Sequence, residues 1–125
     1  MPTFIRAVGI SNEDLSALPV RELDSAIAFY TKVLGCAVIW SDDKAATLAR
    51  DSVRLAVVLD ATHEPGRAGS LAIQVDDLDA MHRELEAIGA EPGAFGTDEW
   101  NGRLHRTFFL REQSNGYCYC FYVDM

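Results

Sequence analysis

Basic residues are scarce in this chain. Lys and Arg number 11 against 19 Asp and Glu, leaving a net charge of −8. A surface of that sign repels nucleic acid and anionic membrane. No Lys/Arg cluster interrupts it, so neither is expected as a partner. Long apolar runs are also missing: none approaches the ~20 residues that a membrane span needs. The opening MPTFIRAVGI lacks the basic region, long apolar stretch and cleavage site of a signal peptide, which sets the expectation of a cytoplasmic protein. Cysteine is limited to Cys36, Cys118 and Cys120. An odd count without a secretion signal argues against a disulfide framework. Cys118 and Cys120 lie two apart on an expected strand, with side chains parallel rather than convergent, a poor geometry for a disulfide. They read either as a soft-metal or redox pair or as two small buried hydrophobes.

What the chain does have is a repeat. Its 125 residues suffice for one domain with a real core, and 49% hydrophobic and 24% charged residues suit a soluble globular protein. Aligning Val20 with Val75 matches VRELD to VDDLD. After one residue inserted in the first copy, Leu34-Gly35 matches Ile88-Gly89. In the first copy Leu23, Ile27, Tyr30 and Leu34 form one apolar helical stripe; in the second Leu78, Met81, Leu85 and Ile88 do. Acidic residues at each helix start suit capping and the helix dipole, and Gly35 and Gly89 are natural stops.

Strand-like segments follow each helix. After the first come CAVIW, AATLAR and SVRLAVVLD, with SDDK as a turn; after the second come AEPGAFG, RLHRTFFLR and GYCYCFYV, with QSNG as a hairpin signal. The expected fold class is therefore α+β: two βαβββ modules, about 1–60 and about 70–125, joined by the linker 61–69 in a single domain. Such modules need each other to bury a face. The segment FIRAVGI is separated from LPVREL by SNEDLSA. It is either an interrupted first strand or an additional strand that covers an edge or pairs with a partner subunit.

LPVRELDSAIAFYTKVLG, LAIQVDDLDAMHRELEAIGA and RTFFLREQSNG at this spacing resemble the vicinal oxygen chelate superfamily, which includes glyoxalase I, extradiol dioxygenases and bleomycin-resistance proteins. The resemblance covers nearly the whole chain from Leu18 onward and implies a mixed sheet curled into a cup that holds the site. Small members of this type are often homodimers, so a homodimer is expected. The superfamily's enzymes hold a divalent metal in the cup as a Lewis acid. Carried over position by position, the ligand set falls on Leu15, Ser70 and either Tyr119 or Cys120. Leucine is no ligand and neutral serine a poor one. The resemblance thus implies neither a metal nor another cofactor here, and no catalytic residue stands out.

Without a metal, a cup binds by shape, stacking and a few polar contacts. Candidate ligand-binding residues are Trp40, Arg54, Ser70, Trp100, His105, Tyr117 and Tyr119. Trp100 is the leading one, because TDEWNGR reads as a loop and loop aromatics often serve recognition. The last strand alternates Tyr117, Tyr119 and Phe121 on one face with Cys118, Cys120 and Tyr122 on the other. The expected function is metal-independent binding of a small organic molecule, aromatic or cationic, in the manner of bleomycin resistance. The competing readings are a glyoxalase-type metal-dependent lyase, isomerase or dioxygenase, and a structural or partner-binding module.

Overall fold

The computed structural model describes residues 1–10 and 13–125. Ser11 and Asn12 of the SNEDLSA insertion lie outside the described residues. In order, the elements are β1 (Phe4–Gly9), β2 (Leu18–Val20), α1 (Leu23–Ala28), β3 (Ala37–Ser41), β4 (Ala45–Arg50), β5 (Val53–Leu59), β6 (Ser70–Val75), α2 (Leu78–Ala87), β7 (Gly96–Trp100), β8 (Arg103–Arg111) and β9 (Cys118–Asp124). They build two sheets, one ordered β1-β6-β9-β8-β7 and the other β2-β5-β4-β3.

The repeat is visible in this order. In each copy the strand before the helix pairs in parallel with the last strand of the unit: β2 with β5 and β6 with β9. The remaining neighbours are antiparallel. FIRAVGI proves to be an additional strand. It runs antiparallel to β6, with Phe4 opposite Val75 and Gly9 opposite Leu71, so the N-terminal segment joins the sheet of the second copy.

The residue inserted in the first copy has a structural counterpart. After α1 the chain widens into a π-helical turn at Phe29–Val33, where the Leu34 N–H donates to the Phe29 carbonyl at 3.1 Å. A π-turn absorbs one extra residue without breaking the helix. Leu23, Ala26, Tyr30 and Leu34 consequently all reach the core, with Ile27 only half-buried. In α2 the buried stripe is Leu78, Met81 and Leu85, while Ile88 caps the helix and is 51% exposed. Capping also differs between the copies. Asp77 accepts from the Ala80 N–H at 3.0 Å at the start of α2. The Glu22 side chain at the start of α1 makes no capping bond. There the Asn115 Oδ1, from the opposite end of the chain, accepts from the Arg21 and Glu22 N–H groups at 2.8 and 3.2 Å.

AEPGAFG departs from the strand expected of it. Residues 90–95 form a loop, and the strand starts at Gly96. Trp100 is accordingly the last residue of β7 rather than part of a loop. Asn101 (φ 53°) and Gly102 (φ 72°) make the two-residue turn into β8. Asn-Gly is the preferred pair for a hairpin turn with two positive φ angles, and that signal ends the strand at the tryptophan.

The main core lies on one face of both sheets. Tyr30, Leu48, Leu55, Leu71, Ile73 and Phe121 are among its fully buried members. The other face of each sheet carries the features described next.

Candidate functional site

The uncovered face of the five-stranded sheet forms the floor of a cavity of about 740 Å³. Period-two alternation decides what it shows. On β9, Tyr119 and Phe121 enter the core, while Cys120 and Tyr122 face the cavity. On β6, Leu71, Ile73 and Val75 enter the core, while Ser70 and Ala72 line the cavity. The walls come from the two edge strands: Arg6 and Val8 from β1, Asp98 and Trp100 from β7.

Trp100 is held as a platform. Its ring stacks on His105 with centroids 3.7 Å apart and 15° between planes, and its edge meets the Tyr122 ring at 5.1 Å. His105 lies beneath it, only 4% exposed. Its Nδ1 is 3.0 Å from Asp124 Oδ1, an ion-pair distance, but out of line for a hydrogen bond, and neither ring nitrogen has a hydrogen-bond partner. One face of the indole is therefore occupied by imidazole. Trp100 is half-buried, and its residue lines the cavity.

The polar groups around this platform are partly committed. The Asp98 carboxylate accepts from the Thr107 hydroxyl at 2.6 Å. Arg6 Nε donates to the Tyr122 hydroxyl at 3.4 Å. Burial, reinforced by Asp98 and Cys118, pushes the Cys120 thiol up to about 12. It is a neutral thiol at physiological pH, not a nucleophile or a ready soft-metal ligand.

The sequence candidates fall into three groups. Trp100 and Ser70 line this cavity, and His105 lies behind Trp100 without lining it. Trp40 and Arg54 sit on the four-stranded sheet, none of whose strands lines the cavity. Trp40 pairs in register with Thr47, and Arg54 with Ala49, so both point from that sheet's uncovered face; Trp40 is 53% exposed. Tyr117 lines a smaller cavity of about 410 Å³, where it stacks on His63 and donates to the Pro19 carbonyl at 2.8 Å. Tyr119 is fully buried, its hydroxyl 2.6 Å from that of Tyr30. Arg6, Asp98 and Tyr122 were not singled out from the sequence. Alternation already set Tyr122 apart from Tyr119, but no local signal says which set faces the cavity.

The positions matching the superfamily's metal ligands do not fit a metal. Leu15 packs against the core, Tyr119 is engaged with Tyr30, and Cys120 is a protonated thiol beside Ser70 in the cavity wall. No group of three His, Cys, Asp or Glu among the described residues is arranged to hold a metal ion.

A second polar cluster lies where the copies meet. Glu112 is 2% exposed; its Oε2 accepts from Asn115 Nδ2 at 2.7 Å and its Oε1 has no hydrogen-bond partner among the described residues. Burial raises its pKa, against smaller opposing effects of Asn115 and His63. The folded chain therefore keeps a proton that the unfolded chain has already lost. Stability falls as pH rises through that interval and stays lower above it. Glu112→Gln retains the acceptor for Asn115 and removes the charge. The variant is expected to match the wild type in acid and to become the more stable protein as pH rises from about 4.3, the ordinary glutamate value, towards neutrality. Urea melts across that range measure the gap, and a gap independent of pH contradicts it.

Comparison with known proteins agrees with this architecture. The family model described as "Glyoxalase/Bleomycin resistance protein/Dioxygenase superfamily" matches residues 14–115. The chain belongs to this superfamily. Among solved structures, this superfamily member resembles the bleomycin resistance determinant encoded on transposon Tn5 (TM-score 0.75, 20% identity, covering 91% of this chain and 98% of that one). It also resembles a bleomycin-binding protein complexed with bleomycin (TM-score 0.74, 20% identity, 92% and 100%). A third is the bleomycin-binding protein of Streptomyces verticillus complexed with copper(II)-bleomycin (TM-score 0.68, 22% identity, 90% and 95%). At these identities the likeness shows the shared fold. A search of curated proteins finds no match.

Proposed function

We propose that this superfamily member binds a small aromatic molecule in the cavity of its five-stranded sheet, without a metal, and that a second copy of the chain covers it. The observation that carries the reading is Trp100, a half-buried indole backed by His105 on the wall of a cavity of about 740 Å³. That is the arrangement of a stacking site: one aromatic face supported, with a few polar groups around it. The poor donor set at Leu15, Ser70, Tyr119 and Cys120 supports binding over metal-assisted chemistry. The bleomycin complexes of two similar folds support the same class of function.

The second copy is suggested by the four-stranded sheet. Its uncovered face leaves Trp40 and Val58 in water beside small residues such as Ala49 and Ala56, with Val38 and Ile39 also exposed on its edge strand. Exposed apolar surface of this kind marks an interaction face. It would supply Trp40 and Arg54 to a site that each chain builds only in part.

A screen of aromatic compounds followed by tryptophan emission and sedimentation tests both statements. Saturable quenching is expected, one site per chain in a two-chain particle. Trp100→Ala is expected to weaken binding by on the order of 2 kcal/mol, about thirtyfold, as for other buried aromatic anchors. A screen without saturable quenching, or a Trp100→Ala variant that binds as well as the wild type, refutes the cavity reading; a one-chain particle refutes the covering copy.

A further inference from the structure

The cavity carries opposite charges on its two walls. Arg6 stands on β1 and Asp98 on β7, the two edge strands of the five-stranded sheet. Arg6 reaches inward far enough for its Nε to bond the Tyr122 hydroxyl on β9, the middle strand. That bond orients the guanidinium and leaves both terminal nitrogens without a hydrogen-bond partner among the described residues. The Tyr122 ring is touched on its other part by Trp100. Arg6 and Trp100 thus flank one tyrosine and line the same cavity. At the opposite wall Asp98 shares the cavity face of β7 with Trp100 and has one oxygen engaged by Thr107, while Glu99 alternates to the other face.

We propose that the cavity selects a planar aromatic zwitterion, with its ring on Trp100, its anionic group in the fork of Arg6 and its cationic group at Asp98. This deepens the small-molecule reading and rests on it. A planar fork with free N–H groups matches a carboxylate in two parallel charge-assisted bonds. A purely cationic ligand sets Arg6 against a like charge, and a purely anionic one meets the Asp98 carboxylate. Selectivity therefore comes from repulsion as much as from attraction.

Calorimetry with four probes tests this: an aminomethyl-naphthoate with its charges at opposite ends of the ring system, naphthylmethylamine, naphthoate and the neutral naphthylmethanol. The zwitterion is expected to bind about tenfold more tightly than either singly charged probe, the size of a charge-assisted contact. Arg6→Gln is expected to reduce it to the level of the amine, and Asp98→Asn, which keeps an oxygen to accept from Thr107, to reduce its advantage over naphthoate. A zwitterion bound no better than the amine, or a preference that survives Arg6→Gln, overturns the inference. If naphthylmethanol still binds in that event, the cavity reading stands alone; if none of the four binds, both fall.

Discussion

Arg50→Ala is expected to cost about 3–5 kcal/mol of stability, the range for breaking a buried ion pair from one side. Arg50 is 7% exposed and ends β4. Its Nη1 donates to the Leu34 carbonyl at 2.9 Å and to Glu84 Oε2 at 2.7 Å; its Nη2 donates to the Pro2 carbonyl at 2.9 Å and to Glu84 Oε1 at 3.1 Å. The guanidinium also lies over the Phe4 ring, 4.3 Å from its centroid. One side chain thus joins the end of the first helical segment, α2, and the N-terminal segment. Alanine leaves Glu84 without its counter-ion and two carbonyls without their donor. Urea unfolding measures the loss. Arg50→Lys is expected to recover only part of it, because an ammonium keeps the charge but not the two-pronged geometry. A loss below about 1 kcal/mol for alanine, the level of an exposed pair, contradicts this account.

Gly116→Ala is the second large effect, about 2–4 kcal/mol. Two costs combine. Gly116 has φ +84°, a region that costs a side-chain-bearing residue about 1 kcal/mol. An added Cβ would also stand 1.9 Å from the Pro65 carbonyl oxygen, which is backbone and cannot swing away. Overpacking of that kind adds about 1–3 kcal/mol. The turn can relieve it only by moving, and moving it disturbs Asn115, whose side chain holds the start of α1 through Arg21 and Glu22. Gly89→Ala is the internal comparison. Gly89 has φ +81°, but nothing lies within 4 Å of its added Cβ, so only the backbone cost of about 1 kcal/mol remains. Equal losses for the two variants, measured by the same urea melts, refute the steric part of the argument.

Both effects lie where segments distant in sequence meet, and that is the boundary of what could be read in advance. Local order was legible because local physics dictates it. The Leu78, Met81 and Leu85 stripe, the stops at Gly35 and Gly89 and the alternation on β9 depend only on helix and strand periodicity and on backbone freedom at glycine. The repeat followed, and with it the superfamily and the α+β class. AEPGAFG was misread because its apolar residues resemble a strand while Asn101-Gly102, further on, sets where the hairpin turns.

For the site, Ser70 is a candidate through the superfamily resemblance, and Trp100 through a segment that reads as a loop, although it ends β7. Tyr122 and Arg6 are not candidates. Alternation divides a strand into two faces, yet which face becomes core depends on what packs against it. Here the Tyr30 hydroxyl captures Tyr119 from across the chain, committing that face to the interior and turning Tyr122 to the cavity. Arg6 reaches the site only because FIRAVGI pairs with β6 rather than with its sequence neighbours. Arg50 carries no signal in the sequence, and only the fold brings Leu34, Pro2 and Glu84 around it. Periodicity and turn chemistry determined the elements and their duplication. Contacts between residues far apart in the chain decided which faces are buried and which side chains share the cavity, because they exist only after the chain has folded.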